Sequence, residues 1–445
     1  MEKEVAEYLP SGLITCVLNG REVKIIKISP WKMVLRLSEK VDRLSELKAA
    51  FCNFNDFSYN EINIKNCSIE ESVEKEFYEE CTINIDDEEF VKEVRQSVKK
   101  YWNYVMAKNY GEESQFSGEM ANYPWKEDQY FSTSFEEEKK SWIESSLNKE
   151  WHQEEEFIPE LAVALDNRML CQEFLRNDID IFQRNYLKKN YLSDHMLVNR
   201  KISRIYIGNQ FCHNLFPDIN SFLDILNKAK NEQLEITVVF TYIAEKCLDK
   251  ITNIINSLYS WCSENDYPVE AVINDWGMLR LVEDKKDYLK CCLGILLNKH
   301  RKDPRYKYKK RLTTGESIFE NNTNDPLFFK FLSDYGIHRF EYECCGYYSS
   351  IPKGHHSLHF PFYQTNSSQF CPLAALCING DRGKQVFIDN CKEYCRDYVI
   401  LYPHHLKMVG RYNSIFGFDG DILENPEVII KYVSMGIDRI VMNFS

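Results

Sequence analysis

ISRIYIGNQFCHNLFPDINSFLDILNKAKNEQLEITVVFTYI, residues 202–243, sets an amphipathic segment between two apolar ones. The apolar runs 202–208 and 236–243 are short and nearly continuous, as in strands buried on both faces. Between them, 218–232 carries apolar residues at helical spacing. Strand, helix and strand in this order make a parallel crossover unit. The rhythm continues on both sides. LAVAL (161–165) precedes RMLCQEFLRN, and CLDKITNIINSLYSWCSEN leads to VEAVIND (269–275). GMLRLV leads to LKCCLGILL (289–297), and PLFFKFLSDYG to IHRFEYE (337–343). SLHFPF, VILYP, NPEVIIKYVSMG and IDRIVMNF close the chain. Seven or eight such units predict an α/β fold, a (β/α)8 TIM-type barrel over 159–445. In such a barrel the loops at the carboxyl ends of the strands carry the chemistry.

Upstream the pattern differs. Residues 1–85 are β-rich: GLITCVLNGREVKIIKIS and KMVLRLS break at Asn19-Gly20 and Ser29-Pro30, as hairpins and turns do. Residues 86–158 read as a helical, acidic linker. Val91, Val94, Val98, Tyr101 and Val105 fall along one side of a helix, and FEEEKKSW and EWHQEEEF follow. The acidic runs at 136–138 and 154–156 read as solvated helix faces rather than metal sites.

Net charge is −13, so no broad phosphate-neutralising surface, and no DNA partner, is expected. The basic run KHRKDPRYKYKKR (299–311) reads as a solvated loop, although its alternation with Tyr306 and Tyr308 is also a pattern for a local RNA contact. No apolar run approaches the ~18 residues of a membrane span, and MEKEVAEYLP lacks a signal-peptide core. A cytoplasmic location is therefore expected, with most of the 16 cysteines reduced. The doublets Cys291-Cys292 and Cys344-Cys345 sit in strand-like segments, where neighbours point to opposite faces and do not ligate together.

FCPLAALCINGDRGKQVFIDNCKEYCRDY (370–398) holds Cys371, Cys377, Cys391 and Cys395. Thirteen residues separate Cys377 from Cys391, and three separate Cys391 from Cys395. Several thiolates gathered in a reducing compartment predict a metal centre before disulfides. Cys212 follows a strand, as do Cys371 and Cys377, which makes it the candidate upstream ligand. Four thiolates suit zinc or an iron–sulfur cluster. Structural zinc usually takes two tight Cys pairs, and only 391/395 qualifies. No phosphate loop, HExxH, nucleophile-elbow serine or radical-SAM cysteine triplet occurs.

Over about 160–445 the chain resembles the collagenase-like peptidase U-32 family. IYIGNQFC is similar to its early strand and cysteine loop, and AVINDWGMLRLV to its Asn-Asp-x-Gly segment (Asn274, Asp275, Gly277). FLSDYGIHRFEYEC is similar to a later strand entry, and Cys371–Cys395 to its cysteine cluster. The spacing resembles most the UbiV-type iron–sulfur branch. That resemblance implies a 4Fe-4S cluster on Cys212, Cys377, Cys391 and Cys395, with zinc as the alternative. Cys371 belongs to the pattern of the other branch, which needs a further cysteine downstream, and none follows Cys395. The implied activity is oxygen-independent hydroxylation of an aromatic or RNA substrate, or service as the cluster subunit beside a family-related protein. The family's historical name implies a peptidase, a hydrolase, as the alternative, although no nucleophile–base pair is evident. A third reading is a non-enzymatic docking or scaffold protein. KISPWKMVLRL resembles the second motif of PilZ domains, with Lys27 and Lys32 where that family has Asp and Gly. A docking role for the N-terminal domain fits this better than nucleotide binding. Candidate pocket residues are Asn274, Asp275, Arg339, Glu341, His355 and His404, with Tyr242, Glu343, His213, His356, His359 and His405 beside them. Asp275 suits a helix cap equally well.

Overall fold

The computed structural model describes residues 12–41, 43–53, 58–109, 132–147, 160–302, 320–379, 384–388, 390–402 and 406–444. The chain divides into two units, 1–128 with 305–318 and 129–304 with 319–445.

The first unit is a seven-stranded antiparallel sheet. Its strands are β1 (Ile14–Leu18), β2 (Arg21–Ser29), β3 (Lys32–Leu37), β4 (Leu47–Cys52), β5 (Tyr59–Asn63), β6 (Cys67–Glu74) and β7 (Glu79–Ile85), in the order β5-β4-β1-β2-β3-β7-β6. Asn19 and Gly20 join β1 to β2 with φ of 49° and 81°, the two positive values that a tight hairpin asks of an Asn-Gly pair. Helix α1 (Glu88–Asn109) buries Phe90 and Val94 in the core with Met33, Leu35 and Ile83.

Residues 86–158 are mostly helical where they are described, and the acidic run at 154–156 lies outside the described residues. While α1 belongs to the first unit's core, α2 (Ser132–Glu144) puts Phe135, Trp142 and Ile143 into the core of the second. Each helix thus buries one apolar stripe.

The second unit is a closed barrel of eight parallel strands: β8 (Glu160–Leu165), β9 (Arg204–Ile207), β10 (Glu235–Val239), β11 (Val269–Ile273), β12 (Leu289–Leu293), β13 (Arg339–Glu343), β14 (His356–Phe360) and β19 (Ile437–Met442). The last pairs with both β14 and β8. Helices α3 (Arg168–Arg176) and α4 (Ile179–Lys189) follow β8, α5 (Ile219–Asn231) follows β9, and α6 (Leu248–Asn265) follows β10. Then come α7 (Trp276–Val282) and α8 (Pro326–Asp334), one in each of the next two crossovers. Two crossovers break this rhythm. No helix lies between β13 and β14. Between β14 and β19 the chain inserts β15 (Phe362–Ser367), α9 (Pro372–Asn379), β16 (Ile400–Leu401), β17 (Met408–Arg411) and β18 (Ser414–Phe418), then α10 (Asp421–Glu424) and α11 (Pro426–Ser434). β15, β18, β17 and β16 form their own antiparallel sheet. VILYP is therefore not a barrel strand, because an apolar run reads alike whichever sheet it joins.

Strand alternation sorts the barrel residues. Ile205, Ile207, Phe340, Leu358 and Ile440 join the large core that holds the helices' apolar faces, while Ala162, Tyr206, Val239, Val272, Cys292 and Val441 form a separate interior cluster. Cys291 and Cys292 divide in the same way, one to each core. At the amino ends of the strands the interior is ionic. Arg439 bonds Glu160 (2.6 Å) and Glu270 (2.6 and 3.0 Å), Arg204 bonds Glu160 (2.7 Å), and Arg339 reaches Glu270 at 3.4 Å.

Candidate thiol centre at the barrel mouth

At the carboxyl ends of the strands, local structure turns two distant segments toward each other. Gly208 ends β9 with φ +112°, and a Cβ there would strike the Val239 carbonyl and press on the Phe216 ring at 3.0 Å. Only glycine takes this turn at no steric cost. The next residue, Asn209, accepts from the backbone N–H groups of Phe211 (2.8 Å) and Cys212 (2.9 Å), which fixes the Cys212 loop. In the insert, Tyr412 (φ 56°) and Asn413 form the two-residue turn between β17 and β18. Asn413 Nδ2 donates to the carbonyls of Phe211 and Ser368, both at 2.7 Å, and so staples the Cys212 loop to the segment entering α9. Asn214 Nδ2 donates to Ile388 O (3.1 Å), and the His213 ring stacks on Phe387 with centroids 5.1 Å apart.

These ties bring Cys212, Cys371, Cys391 and Cys395 to one small cavity of about 30 Å³. Cys371 Sγ donates to Tyr412 O (2.9 Å) and accepts from Ala374 N (3.3 Å), while Cys391 Sγ accepts from Glu393 N (3.3 Å). Burial, then neighbouring thiols, push Cys371 up to about 11. Burial pushes Cys395 up to about 12 against the opposing pull of Arg411, and drives Cys212 higher still. Unliganded, these three thiols stay protonated at neutral pH. Cys377, six positions along from Cys371, is exposed and does not line the cavity, though burial and Cys391 raise its thiol.

Among the described residues, no three Cys, His, Asp or Glu side chains converge closely enough to hold a single metal ion. A tetrahedral zinc with ~2.3 Å bonds needs sulfurs roughly 3.8 Å apart. Four thiols lining one cavity are a donor set that zinc and an iron–sulfur cluster both accept.

The other candidates disperse. Asn274 and Tyr242 line a cleft of about 560 Å³ at the mouth. Asn274 is buried, donates to Phe240 O (2.8 Å) and accepts from Leu296 N (2.9 Å), so it ties loops together. Asp275 caps α7, accepting from Gly277 N at 2.6 Å. Glu341 is fully buried inside the barrel, 2.7 Å from His359 Nε2 and 3.3 Å from the Tyr206 hydroxyl. Glu343 pairs with Lys302. Arg339 and His355 are not at the mouth. Arg339 opens β13, His355 precedes β14, and both bind Asp438 on β19, at the barrel's amino end. His356 is buried, and burial lowers it to about 4. His404 and His405 lie outside the described residues. Asn209, Asn413 and Arg411 carried no signal in the pattern. Asn209 and Asn413 act through the turns they occupy, and Arg411 ends β17.

No family model matches the chain, and neither the curated proteins nor the solved structures give a match.

Proposed function

We propose that this is an iron–sulfur barrel protein in which Cys212, Cys371, Cys391 and Cys395 hold a 4Fe-4S cluster, with Cys377 as the rival for the place of Cys371. One observation carries the reading: the loop after the second barrel strand and the insert after the seventh meet with four thiols around one cavity. Bound there, such a core supplies electron transfer. The chain's own part is to surrender the four thiol protons on loading, to hold the loops through Asn209 and Asn413, and to cover the site with His213 and Phe387. The resemblance to the peptidase U-32 family supports the finer proposal, oxygen-independent hydroxylation of an aromatic or RNA substrate, alone or beside a family-related subunit.

Purification without oxygen, followed by iron and sulfide analysis, tests this. About four irons per chain and absorbance near ~400 nm are expected. Cys212→Ala, Cys391→Ala and Cys395→Ala should each lose most of the iron. The Cys371→Ala and Cys377→Ala pair decides the fourth ligand. A colourless, iron-free protein defeats the proposal.

The peptidase reading has one observation of its own, a His300 Nε2 to Cys345 Sγ approach of 3.4 Å, with His300 on the wall of the large cleft. Burial pushes that thiol up to about 12 and the imidazole well below its usual range. The attacking species is the thiolate, a form that burial disfavours here, so the pair lends peptide cleavage little support.

A further inference from the structure

On the other side of Cys395 lies a second, larger cavity of about 360 Å³, within the size range of small-molecule sites. Its walls bring five cations together, Lys139, Arg168, Lys189, Arg396 and Arg411, against two carboxylates, Glu136 and Glu393. Four of the cations already have carboxylate partners: Lys139 with Glu136 (2.8 Å), Arg168 with Glu393 (2.7 Å), Lys189 with Glu173 (3.5 Å) and Arg396 with Asp397 (3.3 Å). Arg411 differs. Its guanidinium lies over the rings of Tyr412 (5.2 Å) and Phe135 (6.0 Å), and its buried Nε has no hydrogen-bond partner among the described residues. A buried charged donor without an acceptor is costly and marks a missing acceptor. Helix α3 adds to the field: its N-terminal residues Arg168, Met169 and Leu170 line the same cavity, where the helix dipole favours an anion. Apart from Asn167, Asn190 and Cys395, the remaining wall is apolar and aromatic, including Leu170, Tyr186, Leu215 and Val399.

We propose that this cavity binds a small organic oxyanion, with its phosphate or carboxylate on Arg411 and its apolar body against the aromatic wall. Guanidinium is the group best shaped for such an oxyanion, through paired N–H donors. Cys395 lines both this cavity and the thiol cavity, so loading would place a thiolate beside Arg411, and the test includes a variant of the cluster site to separate the two.

Calorimetric titration of the intact protein at low salt, with phenyl phosphate, benzoate and inorganic phosphate as separate probes, tests it. Saturable binding of phenyl phosphate or benzoate is expected, and the tighter of the two names the headgroup. Arg411→Met should weaken it at least tenfold. The double variant Lys189→Gln/Arg396→Gln, at rim positions, should weaken it about threefold while leaving the circular dichroism spectrum unchanged. Binding should persist in Cys391→Ala whatever its iron content. The proposal fails if neither organic anion binds saturably, or if Arg411→Met binds as the wild type does. It also fails if inorganic phosphate binds as tightly as phenyl phosphate, or if a folded Cys391→Ala protein no longer binds.

Discussion

The two ends of the barrel hold arginines in opposite circumstances. At the amino end Arg439, only 1% exposed, bonds Glu160, Glu270 and Tyr206, and Arg204 and Arg339 share the same carboxylates. At the mouth Arg411 rests on aromatic rings with its Nε unbonded among the described residues, beside thiols that burial keeps protonated. One end has closed its electrostatic ledger and the other has left it open. Barrels commonly divide this way, with stability residing below and chemistry above. Unsatisfied groups at the mouth are tolerable because the satisfied end and the large core supply the stability they cost.

The sharpest way to break this contrast is to remove each arginine. Arg439→Met strands Glu160 and Glu270 in the interior with fewer partners. Breaking one side of a buried ionic network costs about 3–5 kcal/mol, so the urea midpoint should fall steeply while iron per folded chain stays the same. Arg411→Met removes a charge that lacks a bonded acceptor, so it should stay within about 1 kcal/mol of the wild type. If the two variants lose equal stability, the two ends are not different in kind.

Acid sharpens the same contrast. Burial alone would raise Glu270, but the hydrogen bond and charge of Arg439, then Arg204 and Arg339, hold it at about 2, below its ordinary 4.5. A carboxylate depressed on folding stabilises fully above its unfolded value, and that contribution is lost as pH falls toward the folded one. The amino end should therefore lose roughly 3 kcal/mol between about pH 4.5 and pH 2. Buried His195 and His356, each lowered to about 4, give an earlier loss, beginning as pH drops below 6.5. Urea midpoints at successive pH values should show both windows, and Arg439→Met should flatten only the lower one.

The sequence disclosed the barrel because its strands are apolar on both faces and its helices keep one stripe, patterns that periodicity captures. It disclosed the β1–β2 hairpin because Asn19-Gly20 admits few other conformations. It misdirected Arg339 and His355 because a strand's pattern does not say at which end a residue lies. A five-residue strand is about 16 Å long, enough to move a side chain from mouth to base. The insert after β14 was the hardest part. Ile400–Leu401 is too short to carry a period, and the ties that gather the thiols run through a turn, Tyr412-Asn413, with no apolar signal. The resemblance pointed to Cys377 as a ligand and set Cys371 aside, whereas the start of α9 brings Cys371 to the cavity and leaves Cys377, near its end, exposed.

The smallest expected effect separates a functional residue from a structural one at the mouth. Asp275 sits where a pocket carboxylate is expected, yet its oxygens accept from Gly277 N (2.6 Å) and Ile243 N (3.3 Å). Both contacts hold backbone, one starting α7 and the other anchoring the loop after β10. Loss of a helix cap costs about 1 kcal/mol, so Asp275→Ala should lower the urea midpoint slightly, and Asp275→Asn, which keeps an acceptor, should lower it less. Neither should change iron content or anion binding. A variant that keeps wild-type stability but loses either would make Asp275 part of the open end of the barrel after all, and would move the working site from the Cys395 side of the mouth toward the large cleft.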